Sequence, residues 1–270
     1  MIVDFHAHCF PDELAHRVMP AMEENAGVKA ALDGTLGDLL GSMARAGIGL
    51  AVPQHIATKP GQERTINQWA AGIQGEKVLC FGTIHPGSPD WREEIKRLVD
   101  YGLKGVKFHG DFQDFYVDEP RMFPIYEALC AAGSIVLFHA GIDIARPHPC
   151  HCPPKRLRTV IDRFPEGRWV AAHLGGYLSW DEVEEHLLGH PLYLDTSYTY
   201  HQLGPERMRE LIRGHGVERV LFGSDSPWAD QAAAVEQIRS LGLTEEEERA
   251  VLGGNAERLL GLGSELTPRP

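Results

Sequence analysis

The chain has 270 residues, 43% of them hydrophobic and 24% charged, which is the composition of an ordinary globular protein. Its formal net charge is −12 and no Lys/Arg-rich block occurs, which argues against a nucleic acid or an anionic membrane as partner. Neither a signal-type start nor an apolar run of about 18 residues occurs, and the five Cys are an odd number, so we expect a cytoplasmic protein in a reducing compartment.

Short β-type runs alternate along the chain with longer segments of helical apolar spacing. The runs predicted as strands cover residues 2–6, 49–55, 78–85, 103–109, 134–139, 168–173, 192–195 and 219–225. Helices are predicted over 90–102, 124–133, 154–164 and 205–216. Segment 10–48 is long for one helix, and we interpret it as a loop with one or two helices that serve as a lid.

Eight strands that alternate with helices predict an α/β fold, a single-domain (β/α)8 TIM barrel over residues 1–262. Residues 263–270 are predicted to form a C-terminal tail. The competing fold is a doubly wound open sheet, but the Gly-rich phosphate turn that this fold needs after its first strand is missing. The sequence has HCFPDE at that point instead.

The chain contains 14 His, about twice the number expected from average usage. Six of the eight predicted strands end in His and the eighth ends in Asp; these residues are His6 (with His8 just beyond), His55, His85, His109, His139, His173 and Asp225. In a barrel the C-terminal ends of all strands lie on one face, where the chemistry takes place. We therefore expect these side chains to converge on one site.

A divalent cation explains this convergence best. His6 and His8 are two positions apart, so on a strand they point the same way, as two ligands of one ion must. Together with His139 and Asp225 they form a set of imidazoles and a carboxylate that suits Zn²⁺. An unpaired buried Asp225 would be costly. His55 and His85 are left open as substrate contacts or ordinary loop-edge residues.

The segments that carry these residues resemble the amidohydrolase superfamily, in particular the amidohydrolase-related branch that contains aminocarboxymuconate semialdehyde decarboxylase. The similar segments are DFHAH (4–8), GVKFHGDFQ (105–113), LFHAG (137–141), AAHLGG (171–176), LFGSDSPW (221–228) and GNAERLLGL (254–262). The resemblance extends over residues 1–262. It implies that His6, His8, His139 and Asp225 are the metal ligands, that Asp225 is also the base in hydrolytic members, and that His173 is a second-metal ligand or a catalytic group.

The fourth strand leaves the number of metal ions open. Binuclear members often bridge two ions there with a carboxylated Lys or a Glu, and here the strand ends in Lys107-Phe108-His109. Either Lys107 is that bridge, or it is a deeper lysine in an ion pair while His109 faces the site. One ion is favoured over two, because the decarboxylase-like relatives have one.

The predicted chemistry is hydrolysis of an amide, ester or lactone of a small molecule by a metal-activated water. Asp225 would take and return the proton, and His173 or His109 would polarise the carbonyl. The alternative is non-hydrolytic decarboxylation of a small unsaturated or aromatic acid, with His173 handling a proton. A barrel that binds a small molecule without turnover is the second alternative.

The remaining expectations concern partners. Residues 146–156, RPHPCHCPPKR, are predicted to form a Pro-stiffened loop over the mouth of the barrel. An additional metal site in this loop is the less favoured hypothesis. Arg146, Lys155 and Arg156 would meet an anionic substrate group or, as favoured, form the solvated start of a helix. The resemblance is also compatible with a homo-oligomer, although the sequence identifies no interface.

Overall fold

The computed structural model describes residues 1–262, and the predicted tail 263–270 lies outside them. The eight predicted strands are present, each parallel to its neighbour. They are β1 (Ile2–Ala7), β2 (Ile48–Pro53), β3 (Gly82–Thr83), β4 (Gly105–Phe108), β5 (Ile135–Phe138), β6 (Arg168–Ala171), β7 (Tyr193–Asp195) and β8 (Val220–Leu221). In the described residues, no helix has the length and apolarity that a membrane crossing requires.

Backbone hydrogen bonds close these strands into a barrel. β1 pairs with β2, and β3 to β8 form one sheet in chain order. The amide of Phe81, just before β3, donates to the carbonyl of Pro53 at 3.0 Å and joins the two sheets on one side. On the other side, the amide of Phe5 donates to the carbonyl of Phe222 at 2.8 Å. The prediction of a (β/α)8 barrel is therefore confirmed.

Helices follow the strands as the apolar spacing predicts. They are α1 (Asp12–Ala26), α2 (Leu36–Ala46), α3 (Glu63–Gly72), α4 (Trp91–Asp100), α5 (Gly110–Gln113), α6 (Phe123–Ala131), α7 (Pro154–Arg163), α8 (Trp180–His186), α9 (Tyr200–His215), α10 (Gln231–Arg239), α11 (Glu245–Arg249) and α12 (Asn255–Leu260). Segment 10–48 holds two of them, α1 and α2. The side chain of Thr35 caps α2 by accepting a hydrogen bond from the amide of Asp38 at 3.1 Å.

The apolar core has two layers. The outer layer packs the strands against the helices, as where the ring of Tyr126 in α6 meets Phe138 of β5 edge to face with centroids 5.7 Å apart. The inner layer fills the barrel, where Phe5 meets Phe81 edge to face with ring centroids 5.5 Å apart, and Leu259 of α12 packs against it. This inner layer leaves the C-terminal ends of the strands for polar groups.

A bulge in β1 turns His6 inward. Asp4 pairs with Ala51 but Ala7 pairs with Pro53, so β1 has one residue more than β2 over this interval. Phe5 packs in the inner layer, and the next residue, His6, also contacts an inward-facing side chain, Lys107. Strict alternation would place these two neighbours on opposite faces, so the bulge is what directs His6 into the barrel.

Candidate metal centre

Two groups of potential metal ligands lie at the C-terminal ends of the strands. The first cluster is His6, His8 and Asp225; the second cluster is His109, His139 and Asp143. Within each, the ligand atoms lie within 4.8 Å of one another. The structure thus brings together three of the four predicted ligands, while it places His139 in the second cluster.

The first cluster joins the ends of β1 and β8. Oδ1 of Asp225 lies 3.1 Å from Nε2 of His8 and 3.5 Å from Nε2 of His6. The amide of Asp225 donates to the carbonyl of His6 at 2.8 Å. The strands approach so closely that a Cβ at Gly223 would lie 2.7 Å from Cβ of His6. Asp225 itself has a φ of 66°, a strained conformation of the kind found at functional sites.

The hydrogen bonds behind the two imidazoles determine their tautomers. Nδ1 of His8 lies 3.0 Å from the carbonyl oxygen of Gln54, and Nδ1 of His6 lies 2.8 Å from Oδ2 of Asp195. A carbonyl or carboxylate oxygen can only accept, so in the neutral form of each ring Nδ1 carries the proton. In that form the Nε2 atoms of His6 and His8 present lone pairs to Asp225, and Nε2 of His6 also lies 3.2 Å from Nζ of Lys107.

The donor set fits a divalent cation. Burial, together with the charge of Lys107, lowers the pKa of His6 to about 4, so this ring is neutral near pH 7. Burial works to raise the pKa of Asp225, and the positive charge that the His8 and His6 rings carry when they are protonated holds it below its ordinary value. A carboxylate facing two nitrogen lone pairs is an unfavourable arrangement that a cation between them would make favourable. The acceptors behind each ring are also the usual outer partners of a metal-bound His.

The predicted catalytic His173 lies between the two clusters. Its Nδ1 donates to the carbonyl oxygen of Ser197 at 2.9 Å, and its ring centroid is 5.4 Å from that of His6. Nε2 of His173 therefore carries a lone pair, and it lies 3.1 Å from Nδ1 of His139. Nδ1 of His139 must donate to it, which leaves a lone pair on Nε2 of His139. Within residues 1–262 that buried nitrogen has no hydrogen-bond partner.

The second cluster has a different geometry. Nε2 of His109 lies 3.2 Å from Oδ2 of Asp143, and the rings of His109 and His139 stack nearly parallel with centroids 4.0 Å apart. The other carboxylate oxygen of Asp143 accepts from the amides of Ala145 and Arg146 at 2.9 Å each. Burial lowers the pKa of both imidazoles well below the ordinary value. A hydrogen bond from His109 to Asp143 satisfies this pair without an ion.

Lys107 points at the first cluster. The side chain is fully buried, and its Nζ lies 3.2 Å from Nε2 of His6. Burial lowers the pKa of Lys107 to about 8, while Asp195 and Asp225 act against the shift. Both interpretations of this residue, a bridge or a deeper lysine, therefore place it beside a proposed metal ligand.

The loop over residues 146–156 has protein partners for its polar groups. Arg146 donates to the carbonyl oxygen of Asp111 at 3.2 Å, and Arg156 pairs with Asp118 at 2.6 Å. Nδ1 of His151 lies 2.8 Å from Oδ1 of Asp111. Neither cluster of potential ligands in the described part of the chain includes a residue of this loop. Of the three basic residues that we expected at the solvated start of a helix, Lys155 and Arg156 are exposed in the first turn of α7, and Arg146 is exposed in the loop before it.

A cleft of about 210 Å³ adjoins the site. The ring of Tyr177, on its wall, lies edge-on to His173 with centroids 5.8 Å apart. The residues that line the cleft include Val28, Ile144, Tyr177, Tyr198, His201 and Gln202. It offers space for a small molecule on the side of the site where His173 lies.

The sequence interpretation missed Asp143, Asp195 and Ser197. The signal for Asp195 was available, because the seventh predicted strand, LYLD, ends in a carboxylate as the eighth does. Asp143 and Ser197 stand in loops, where no strand periodicity places a side chain on the inner face.

The family model described as Amidohydrolase matches residues 3–262, nearly the whole chain. No curated protein sequence matches.

Several solved structures share the fold over their full length. The 5-carboxyvanillate decarboxylase from Sphingomonas paucimobilis has a TM-score of 0.71 at 18% identity, with 96% of this chain and 98% of that one covered. The 2,6-dihydroxybenzoate decarboxylase from Rhizobium has a TM-score of 0.73 at 18% identity, with 97% and 98% covered. A dihydroxybenzoic acid decarboxylase from Polaromonas sp. JS666, with bound manganese and the inhibitor 2-nitroresorcinol, has a TM-score of 0.73 at 16% identity, with 97% of each chain covered.

Proposed function

Because the chain belongs to the amidohydrolase family, we propose that it is a divalent-metal-dependent enzyme that decarboxylates a small aromatic or unsaturated carboxylic acid. The observation that carries the metal dependence is the contact of Asp225 Oδ1 with two imidazole nitrogens that both present lone pairs. The full-length fold similarity to three decarboxylases favours this reaction over hydrolysis, the first choice from the sequence.

His6, His8 and Asp225 would hold the ion, and His139 remains the proposed fourth ligand through its Nε2 lone pair. Zinc suits two or three imidazoles with one carboxylate. The Polaromonas relative contains manganese, so both ions belong in the test. When bound, the ion would anchor a substrate carboxylate or hydroxyl and stabilise negative charge that develops next to it.

The protein groups supply orientation and a proton. In decarboxylation the bond between the ring or chain carbon and the carboxylate breaks, CO₂ leaves, and the carbon keeps the electron pair and takes up one proton. His173 would take up a proton on Nε2 in place of the hydrogen bond from His139, donate it to that carbon and return to the neutral tautomer whose Nδ1–H is held by the carbonyl of Ser197. The cleft beside Tyr177 would receive the rest of the substrate.

Hydrolysis of a small amide, ester or lactone is the second candidate. It is favoured by the carboxylate of Asp225, which is ionised and lies at the same place as the proposed ion. A carboxylate there would take the proton from water and return it to the leaving group.

Product analysis tests the proposal. Protein loaded with Zn²⁺ or with Mn²⁺ is incubated with a panel of hydroxybenzoates, unsaturated acids, lactones, esters and amides. The proposal expects CO₂ release equal to loss of the acid, abolished in Asp225→Asn. Ring opening or ester cleavage without CO₂ would establish the second candidate. Binding of panel members without any turnover would overturn both and leave a binding barrel.

A further inference from the structure

Two side chains at the end of β7 touch both site histidines from behind. Oδ2 of Asp195 lies 2.8 Å from Nδ1 of His6. The hydroxyl of Ser197 lies 3.0 Å from Nδ1 of His6 and 3.0 Å from Nδ1 of His173. Asp195 is fully buried, and so is Ser197. One short segment thus connects a proposed metal ligand with a proposed catalytic group.

The second oxygen of Asp195 has fixed partners. Oδ1 accepts hydrogen bonds from the amide of His173 at 3.1 Å, the amide of Ser197 at 3.0 Å and the hydroxyl of Ser197 at 2.5 Å. Because the Ser197 proton goes to Asp195, its oxygen is left as an acceptor for the imidazoles. Every group behind His6 is therefore an acceptor, and the ring can meet them only with Nδ1 protonated.

From this geometry we infer that Asp195 and Ser197 are positioning residues, which hold His6 and His173 in the tautomer whose Nδ1 is protonated and whose Nε2 is an acceptor on the side of the site. The inference rests on the proposed function, since it concerns how the same site binds its cation. A ring in the other tautomer would present an N–H to Asp225 and could not ligate an ion through Nε2. The groups that impose the Nδ1–H tautomer are the carboxylate of Asp195 and the oxygen atoms of Ser197.

The substitution Asp195→Asn makes a specific prediction. Three donors surround Oδ1, so the amide oxygen must occupy that position and the NH₂ group must face Nδ1 of His6. An NH₂ group donates, so it favours a His6 ring that accepts at Nδ1 and carries its proton on Nε2, with Nζ of Lys107, 3.2 Å from that atom, turned away or neutral. The variant therefore inverts the tautomer of His6, with little change in shape.

Asp4 offers a matched control. It is equally buried, in β1, and its carboxylate accepts from the hydroxyl of Ser224 at 2.6 Å, from the side-chain amide of Gln231 at 2.7 Å and from the backbone amide of His6 at 3.3 Å. It contacts no imidazole nitrogen. Asp4→Asn also replaces a fully buried carboxylate by an amide, but it touches no ring nitrogen of the site.

The experiment uses long-range ¹H–¹⁵N correlation spectra of the full chain, labelled on His and freed of metal, with resonances assigned through His6→Gln and His173→Gln. We expect the Nδ1–H form for His6 and His173 in the wild type and in Asp4→Asn, and the Nε2–H form for His6 in Asp195→Asn. Zn²⁺ affinity, measured by chelator competition, should fall about 100-fold in Asp195→Asn. It should stay within about twofold in Asp4→Asn, the scatter of uncoupled substitutions.

An Nε2–H form of His6 in the wild type would overturn the inference, even if Asp195→Asn does not fold. So would a folded Asp195→Asn chain that keeps the wild-type tautomer and Zn²⁺ affinity. If the tautomers and Zn²⁺ affinities follow the expectation but no substrate in the panel reacts, the proposed reaction fails and the positioning role stands.

Discussion

The first and second clusters contain the same residue types, two His and one Asp, in similarly compact groups, yet they differ in where their protons lie. In the first cluster, acceptors behind His6 and His8 place the protons on Nδ1, so lone pairs face Asp225. In the second, Nε2 of His109 faces the carboxylate of Asp143 and can donate to it. The first arrangement calls for a cation. In the second, a hydrogen bond from His109 satisfies the Asp143 carboxylate, and Nδ1 of His109 and Nε2 of His139 have no hydrogen-bond partner among the described residues.

Ring orientation separates the clusters as well. A metal ion lies in the plane of each imidazole that binds it, and the His109 and His139 rings are parallel to within 7° with centroids 4.0 Å apart. One ion cannot lie in both planes. The comparison shows that the compactness of a His/Asp group does not define a metal site; the hydrogen bonds of the remote nitrogens decide.

The largest expected effect comes from the two matched substitutions Asp225→Asn and Asp143→Asn. Loss of the Asp225 carboxylate should weaken Zn²⁺ binding by more than about 100-fold, because loss of an outer partner alone costs about 10–100-fold. Asp143→Asn should leave the affinity within about twofold. Titration of both variants against a chromogenic chelator measures this, and equal losses in the two variants would remove the distinction between the clusters.

Removal of the ion should lower the melting temperature. A ligand present at about 100 times its Kd stabilises the folded state by about 2.7 kcal/mol, which in a chain of this size corresponds to about 5–10 °C. Calorimetry of the metal-loaded and chelated protein measures the difference. The same difference is expected in Asp143→Asn, and a smaller one there would assign part of the bound ion to the second cluster.

In the metal-free protein, the two clusters should contribute in the same direction to the pH dependence of the unfolding free energy. Burial lowers the pKa of His6 to about 4 and that of His109 well below 6.5, so the unfolded chain binds protons that the folded chain excludes. Stability is therefore complete above about pH 6.5 and falls as the pH drops toward 4, by about 1.4 kcal/mol per pH unit for each such ring.

Urea unfolding at several pH values tests this. In the metal-free protein, His6→Gln and His109→Gln should each reduce the dependence of the unfolding free energy on pH by a similar amount. With Zn²⁺ bound to the first cluster, the free energy of unfolding of the wild type should change more steeply with pH. His109→Gln should show the same increase in steepness on binding Zn²⁺. A metal-loaded slope that depends equally on both residues would contradict the assignment.

The smallest effect is a gain in stability without metal. At pH 8.5, where an ordinary imidazole is neutral, Asp225 meets two lone pairs in the metal-free chain. In Asp225→Asn the NH₂ group donates to one of them, which should stabilise the chain by about 1 kcal/mol. Thermal unfolding at that pH measures it, and a destabilised variant would mean that Asp225 is satisfied without a cation.

Much of this architecture could be predicted from the sequence. The alternation of strand runs and helical segments gave the barrel, and the strand ends placed His6, His8 and Asp225 on one face. The bulge in β1 could not be predicted from the sequence. Phe5 and His6 are consecutive, so strict alternation would place them on opposite faces, and only the pairing with β2 reveals the extra residue. The sequence also could not show which cluster His139 joins. That depends on its distance to Asp143, a loop residue, and on which nitrogen carries the proton in its hydrogen bond with His173.

Elemental analysis of the chain, saturated with Zn²⁺ and then desalted, tests the central claim most directly. The account predicts one ion per chain in the wild type and in Asp143→Asn, and none retained in Asp225→Asn. Two ions per chain with one lost in Asp143→Asn, or no retained ion in the folded wild type, would contradict it.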